Sequence, residues 1–188
     1  HAHMAACMAE NGWPLAAGRV AGIVLDGVGL GPDGTIWGGE VLLGDYLGFE
    51  RRGWLTPVAM PGGDRASREP WRVALAQLDA AGLGHLADEL FGTRPLAVLR
   101  QAIRAGVNAP LTSSAGRLFD AFAAVLGFEG AQTYEGEAAM GLEARAVLGD
   151  VGAYPLGGVE GVIETAPLWQ AWAQDRAAGV APEVMAGR

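Results

Sequence analysis

Two histidines stand at the head of the chain, His1 and His3, and a carboxylate, Asp26, precedes a run rich in glycine. Two imidazoles and a carboxylate are the donor types that suit a divalent transition metal. The spacing does not fit one ion by itself. On a helix, residues four apart share a face and residues two apart do not. His1 and His3 therefore cannot both bind one metal if residues 1–12 are helical. On the residues alone, terminal histidines that belong to no site remain the simpler account.

The glycine run is the second place where chemistry could sit. Residues 20–40 read VAGIVLDGVGLGPDGTIWGGE. Two β-like runs, Ala21–Leu25 and Thr35–Leu43, flank a turn, and Asp26 closes the first run. Gly27, Gly29 and Gly31 alternate, Pro32-Asp33-Gly34 supplies turn chemistry, and Gly38-Gly39 falls in the second run. Adjacent glycines in a strand predict a bulge or the close approach of a ligand. A backbone without Cβ atoms can bring N–H groups against phosphate oxygens. The pattern is neither the strand–GxGxxG–helix of a dinucleotide site nor a P-loop, which needs a lysine, and this chain has none. A plain hairpin remains the alternative.

The remaining reactive side chains are more ordinary. Arg51, Arg52, Arg65, Arg68 and Arg72 could bind phosphate, but pairing with Glu50, Asp64 and Glu69 accounts for them. Trp37, Trp54 and Trp71 read as core or interface residues. Cys7 and His85 read as structural. Asp120 is either a solvated helix residue or one facing inward. No Ser-His-Asp order, CxxC pair or paired-carboxylate spacing forms a complete catalytic set.

The elements that must position these residues follow from periodicity and caps. A helix is expected over residues 1–12, with Met4, Ala5, Met8 and Ala9 at helical spacing. A hairpin over 19–45 and an extended segment at Phe49–Met60 come next, followed by a loop at Pro61–Asp64. Ser67 or Glu69 is expected to cap a helix with a Trp71, Ala74, Leu75, Leu78 stripe. Gly82–Gly92 is a helical connector, and Pro95 opens a helix ended by Gly106. Ser113 or Ser114 caps a helix whose Leu118, Phe119, Phe122, Val125 and Leu126 face inward. A helix is expected from Thr133 to Leu148. Irregular chain at Gly149–Gly161 holds a strand pair around Tyr154 and Val162. Thr165 caps a helix with Leu168, Trp169 and Trp172, and Pro182–Arg188 starts another. Strands first and helices after predict an α/β or α+β fold with a helical insertion.

Length and composition set outer bounds. The 188 residues suit one domain or one piece of a larger protein. All 13 basic residues are arginine and the net charge is −8, which argues against nucleic acid or an anionic membrane as the main partner. No apolar run approaches the ~20 residues of a membrane helix. The single cysteine cannot form an intrachain disulfide, and the sequence fits a reducing cytoplasm.

The exact wording of several blocks carries a resemblance. HAHMAACMAENG, VAGIVLDGVGLGPDGTIWGGE, DYLGFERRGWL, MPGGDRASREPWRVALAQL, TSSAGRLFDAFAAVLG and YEGEAAMGLEA resemble, in order, the carboxyl-terminal part of the HypF carbamoyltransferases of [NiFe]-hydrogenase maturation. The resemblance implies one partial domain over residues 1–188, cut at both ends, in a lobe of the actin-like ATPase superfamily. His3 matches the last histidine of the family's HHHAH segment, a metal ligand. The segment's first histidine would lie before this chain, and the family's final metal aspartate after it. His1 matches the middle histidine, nearer the substrate. Asp26 matches a metal-site acid, and the implied metal is iron or zinc. Gly27 and Gly29 fall in the family's phosphate-cradling hairpin. Residues 115–127, AGRLFDAFAAVLG, resemble a block of the tRNA threonylcarbamoyltransferases; Asp120 within it matches a nucleoside-contacting position, and Gly136, shortly after it, a glycine that assists. Arg117 departs from that relative, which carries Glu there.

By this resemblance the intact protein uses ATP and carbamoyl phosphate to make carbamoyl-adenylate, then passes the carbamoyl group to a HypE-like acceptor's terminal cysteine. The chain alone is expected to be inactive. Two rivals stand beside it: an O-carbamoyltransferase of the tobramycin type, acting on a hydroxyl, and a non-catalytic docking module.

Overall fold

The computed structural model describes residues 1–128, 130–149 and 151–188. The chain opens with helix α1 (Ala2–Glu10), whose buried face is Met4 and Met8. These two methionines pack with Leu42, Val20 and Val24 into a small core of their own. The next two strands, β1 (Val20–Leu30) and β2 (Ile36–Gly44), pair antiparallel from Val20↔Gly44 to Leu30↔Ile36.

The first run does not end at Asp26, as the sequence suggested. β1 continues through Gly27 and Gly29, and the chain reverses at residues 31–35 instead. There Gly31 donates to the Thr35 carbonyl, and Asp33 accepts from the Thr35 amide and hydroxyl. Glycine is a poor strand former in isolation, but the ladder to β2 supplies what its propensity lacks. The glycines mark an irregularity in that ladder: between Leu25↔Gly39 and Gly29↔Trp37, residues Asp26, Gly27 and Val28 stand opposite Gly38 alone.

The extended segment becomes β3 (Phe49–Leu55) and β4 (Val58–Ala59). After it come helices α2 (Asp64–Arg68), α3 (Trp71–Ala80), α4 (Gly84–Phe91) and α5 (Leu96–Ala105), then β5 (Leu111–Thr112). Because β4 and β5 are antiparallel neighbours, α2–α5 form the expected helical insertion between them. Helices α6 (Ala115–Val125) and α7 (Glu137–Arg145), strands β6 (Gly157–Val159) and β7 (Val162–Glu164), and helices α8 (Ala166–Ala177) and α9 (Pro182–Gly187) complete the chain. The mixed sheet has the order β4-β5-β2-β3-β7-β6, with β1 paired to β2. The fold is thus α/β.

The main core surrounds α3, in which every residue from Trp71 to Leu78 is buried. Trp169 and Trp172 of α8 are fully enclosed against it. A buried Trp removes on the order of 200 Å² from water, worth about 5 kcal/mol before entropy is counted. The buried Gln77 side chain accepts from both Trp169 Nε1 and Thr165 Oγ1, so α3 and α8 are tied by polar contacts inside the core.

Several local expectations change. The α3 N-cap is Pro70, because the short α2 occupies Ser67 and Glu69 closes that helix. Phe119, expected inward, is 49% exposed, since α6 turns its Ala121–Val125 face to α3. The helix expected from Thr133 spans only Glu137–Arg145, with Gly136 at φ 80° before it. Tyr154 lies before the β6–β7 pair instead of in it, and Asp150, in the stretch expected to be irregular, lies outside the described residues.

Along β1 runs an outward apolar row. Ile23 is 78% exposed and Leu30 is 87% exposed, with Leu25 and Val28 between them also exposed. Among the described residues β1 pairs with β2 alone, so its other edge is open.

Candidate functional site

His3 and Asp26 come together. α1 lies over β1, with Met4 against Gly22, where a Cβ would sit 2.8 Å from the Met4 sulfur. That packing carries His3 to the β1 bulge, and its Nε2 lies 3.1 Å from Asp26 Oδ2. The His3 side chain is 68% exposed and that of Asp26 28%. Asp26 Oδ1 accepts from the Val28 amide, which fixes the carboxylate plane. One imidazole nitrogen and one carboxylate thus face each other at an accessible edge, a donor set that fits a cation such as zinc or iron. Among the described residues no third His, Cys, Asp or Glu completes a cluster with them.

His1 goes elsewhere. Its Nε2 donates to the Asp45 carbonyl at 2.7 Å, and its ring stacks on Phe49 with centroids 5.1 Å apart. The helix geometry that separates residues two apart accounts for this.

The bulge is built by three backbones without Cβ atoms between them. A Cβ on Gly116, in the first turn of α6, would lie 2.8 Å from Gly27 Cα. A Cβ on Gly38 would lie 2.3 Å from the Asp26 carbonyl oxygen. Ser114, the α6 N-cap, accepts from the Arg117 amide and sits 2.6 Å and 2.8 Å from the Asp26 and Gly27 carbonyls, to which its hydroxyl donates. A Cβ on Gly29 would meet the Trp37 carbonyl at 2.9 Å. Close packing therefore already explains why Gly29, Gly38 and Gly116 are glycines, whereas a Cβ on Gly27 would meet only the ends of the Arg117 and Glu135 side chains, at 3.1 Å and 3.4 Å.

Gly38 and Gly39 do bind an anion, and it is the chain's own. Both amides donate to Glu40 Oε2, at 2.6 Å and 2.7 Å. Glu40 Oε1 accepts from Ser113 Oγ and from Arg51 at 2.9 Å. The Arg51 guanidinium lies between the rings of Trp37 and Trp54, 4.0 Å and 4.6 Å from their centroids. Sequence reasoning gave Arg51 an acidic neighbour in sequence, but its partners are Glu40 and Asp33. The other pairings fall nearer expectation: Arg52 with Glu50, and Arg65 and Arg72 with Glu69.

Beside the bulge opens a cleft of about 750 Å³, lined by Val28 of β1, Arg68, Arg117, Gln132, Glu135 and Gly136 among others. Gln132 holds its wall, donating to the Ser67 carbonyl at 2.8 Å and accepting from the Ala138 amide at 3.0 Å. Gly136 and Val28 of the bulge thus share one cleft. Asp120 is 1% exposed and is covered by Arg117, whose Nη1 lies 2.7 Å from Oδ2. Neither Asp120 oxygen has a well-formed hydrogen bond among the described residues, and Arg117 Nε has none either. Burial pushes the Asp120 carboxyl up from its ordinary 3.8, against the opposing pull of Arg117 and Gln132. Of the two orientations left open for Asp120, the structure takes the inward one; that Arg117 covers it was not foreseen, and the only signal was the Arg–Asp pair three residues apart.

Comparison with known proteins gives the family of the chain. Residues 22–188 match the family model described as carbamoyltransferase, Kae1-like domain, second subdomain. Over 172 residues the chain is 62% identical to the carbamoyltransferase HypF of Rhodobacter capsulatus, a match covering 90% of this chain and 23% of that protein. Over 170 residues it is 44% identical to that of Rhizobium leguminosarum bv. viciae, covering 89% of this chain and 22% of that one. The crystal structure of full-length HypF in the phosphate- and nucleotide-bound form superposes with a TM-score of 0.88 at 30% identity, over 100% of this chain and 25% of that one. That of T. kodakarensis HypF gives 0.79 at 32% identity, over 95% and 25%. The chain spans about a quarter of the length of these relatives. No helix among the described residues is long and apolar enough to cross a membrane.

Proposed function

The chain belongs to the carbamoyltransferase HypF family, and on that premise we propose that, within its parent protein, it forms part of the site that passes a carbamoyl group from carbamoyl-adenylate to an acceptor thiol. The observation that carries this reading is the meeting of His3 with Asp26 at an accessible edge beside the cleft. In the reaction the acceptor sulfur attacks the carbamoyl carbon, the bond from that carbon to the phosphate oxygen breaks, and AMP leaves with the electron pair. The thiol proton goes to solvent or to a nearby base. The acceptor is a HypE-like protein ending in cysteine, and the adenylate comes from ATP and carbamoyl phosphate elsewhere in the parent protein.

His3 Nε2 and Asp26 Oδ2 are the groups that would hold a divalent iron or zinc ion. Such an ion, when bound, polarises the carbamoyl group and stabilises the charge that develops on the leaving phosphate. To ligate through Nε2, the neutral His3 ring would carry its proton on Nδ1. The chain's own contribution is placement: Ser114 and Gly116 seat the bulge, and Arg117 and Arg68 line the cleft with positive charge for a nucleotide phosphate. That a relative was crystallised with phosphate and nucleotide supports this reading of the cleft. Gly27, Gly29, Asp120 and Gly136 are the proposed nucleotide contacts, with Asp120 reached once Arg117 turns aside. His1, tied to Asp45, would serve the substrate side after release from that carbonyl.

The test uses the intact parent protein with carbamoyl phosphate, ATP and a peptide ending in cysteine, followed by peptide mass. We expect a carbamoylated peptide in wild type, lost in His3→Ala and Asp26→Ala while adenylate formation persists. Carbamoylation of an aminoglycoside hydroxyl in place of the thiol would transfer the assignment to the antibiotic branch. Transfer that survives both substitutions would refute the site.

A further inference from the structure

Glu40 is a buried carboxylate that the transfer reading leaves without a role. It is 2% exposed, and its four donors come from three places: the Gly38 and Gly39 amides, the Ser113 hydroxyl and the Arg51 guanidinium. Two of these are amides of its own strand, at the point where Asp26, Gly27 and Val28 of β1 bulge away from Gly38. A bulge removes ladder acceptors, and buried amides without acceptors are costly. Glu40 Oε2 takes both amides at once, holding Gly38 at φ 156°. The surface of Gly38 so held is what the Asp26 carbonyl rests against. From the far side the same loop closes the arrangement: Ser113 donates to Glu40 and the next residue, Ser114, donates to the Asp26 carbonyl.

We propose that Glu40 is a positioning residue for Asp26, fixing the Gly38–Gly39 corner that seats the β1 bulge and so setting where the Asp26 carboxylate meets His3. An ion pair kept for stability alone has no need of this geometry, since well-packed apolar residues commonly replace buried pairs at no loss. The functional half of the proposal rests on the reading of His3 and Asp26 as cation ligands.

The experiment uses the intact parent protein with Co²⁺ as the probe, whose visible absorption reports ligand geometry. Glu40→Gln keeps the shape and removes the charge. Co²⁺ affinity is expected to fall about tenfold or more, as for outer partners of metal ligands, with a changed visible band. In an Asp26→Asn background the same substitution should change nothing further. An unchanged affinity and band, or an equal loss in both backgrounds, would overturn the proposal. If Asp26→Asn does not alter Co²⁺ binding in the first place, the ligand reading has failed, and amide exchange decides the positioning separately. Glu40→Gln should then speed exchange in residues 24–31 about tenfold more than in residues 49–55; an even change, or none, refutes it. Where Glu40→Gln does not fold, Ser113→Ala removes one donor, keeps the charge, and should shift the same readouts less in the same direction; no shift counts against the proposal.

Discussion

Glu40 and Asp120 are both almost wholly buried, and each lies against an arginine, Arg51 and Arg117. Glu40 has four donors, and its arginine is held between two indoles. Asp120 has an ion pair without a well-formed hydrogen bond, and the Arg117 Nε is left over. The same pairing of a carboxylate with a guanidinium therefore makes two different devices. A fully satisfied carboxylate locks backbone, whereas a poorly satisfied one keeps unused hydrogen-bonding capacity beside a cleft.

Substitutions can break that contrast, and their effects should fall in order. Glu40→Ala strips four donors of their acceptor and should cost about 3–5 kcal/mol in urea unfolding. Arg117→Met also orphans a buried carboxylate, but Asp120 can take up a proton, so the loss should be smaller, about 2 kcal/mol at pH 7. A loss as large as that of Glu40→Ala would show that the two pairs are alike after all.

Asp120→Asn should act in the opposite direction at pH 7, because the ionised carboxylate it removes is the form that burial disfavours even with Arg117 beside it. Burial raises the folded Asp120 carboxyl above its ordinary 3.8. The folded state then binds its proton at higher pH than the unfolded state does. The penalty is full at neutral pH and fades as pH falls, until below ~4 both states are protonated. Paired wild-type and Asp120→Asn unfolding curves from pH 7 to 3 should therefore converge. Curves that stay parallel would remove burial as the cause.

A third arginine–carboxylate pair sets the low end of the scale. Asp175 accepts from the Tyr154 hydroxyl at 2.7 Å and pairs with Arg188. The Tyr154 bond, followed by Arg188, holds the Asp175 carboxyl below its ordinary range. That contribution is present above the unfolded value near 3.8 and is lost as pH drops through the folded one. Tyr154→Phe should cost about 1 kcal/mol by thermal or urea unfolding.

Reading such devices from sequence succeeds where the signal is local. Ser114 as a cap, Gly106 and Gly127 as helix ends, and the Trp71–Leu78 stripe are written within a few residues, and the structure has them. The resemblance added the His3–Asp26 pair, which spacing alone could not, because 23 residues separate them. What stayed hidden depends on strand register. Glu40 meets Arg51 only because β2 and β3 pair with Glu40↔Trp54 and Leu42↔Arg51, and a one-residue slip would turn either side chain away. The five-residue α2 is too short to show a period, and Phe119 was misread because α6 is apolar on more than one face.

The open edge of β1 has a consequence for handling the protein. An eleven-residue strand with one edge unpaired among the described residues and Ile23, Leu25, Val28 and Leu30 turned to water is a template for edge-to-edge growth. The 188 residues expressed by themselves should scatter light at modest concentration and lose soluble yield on warming, before any helix melts. A charge placed mid-row, as in Ile23→Lys, should raise the concentration reached in clear solution, which makes solubility a property of one strand.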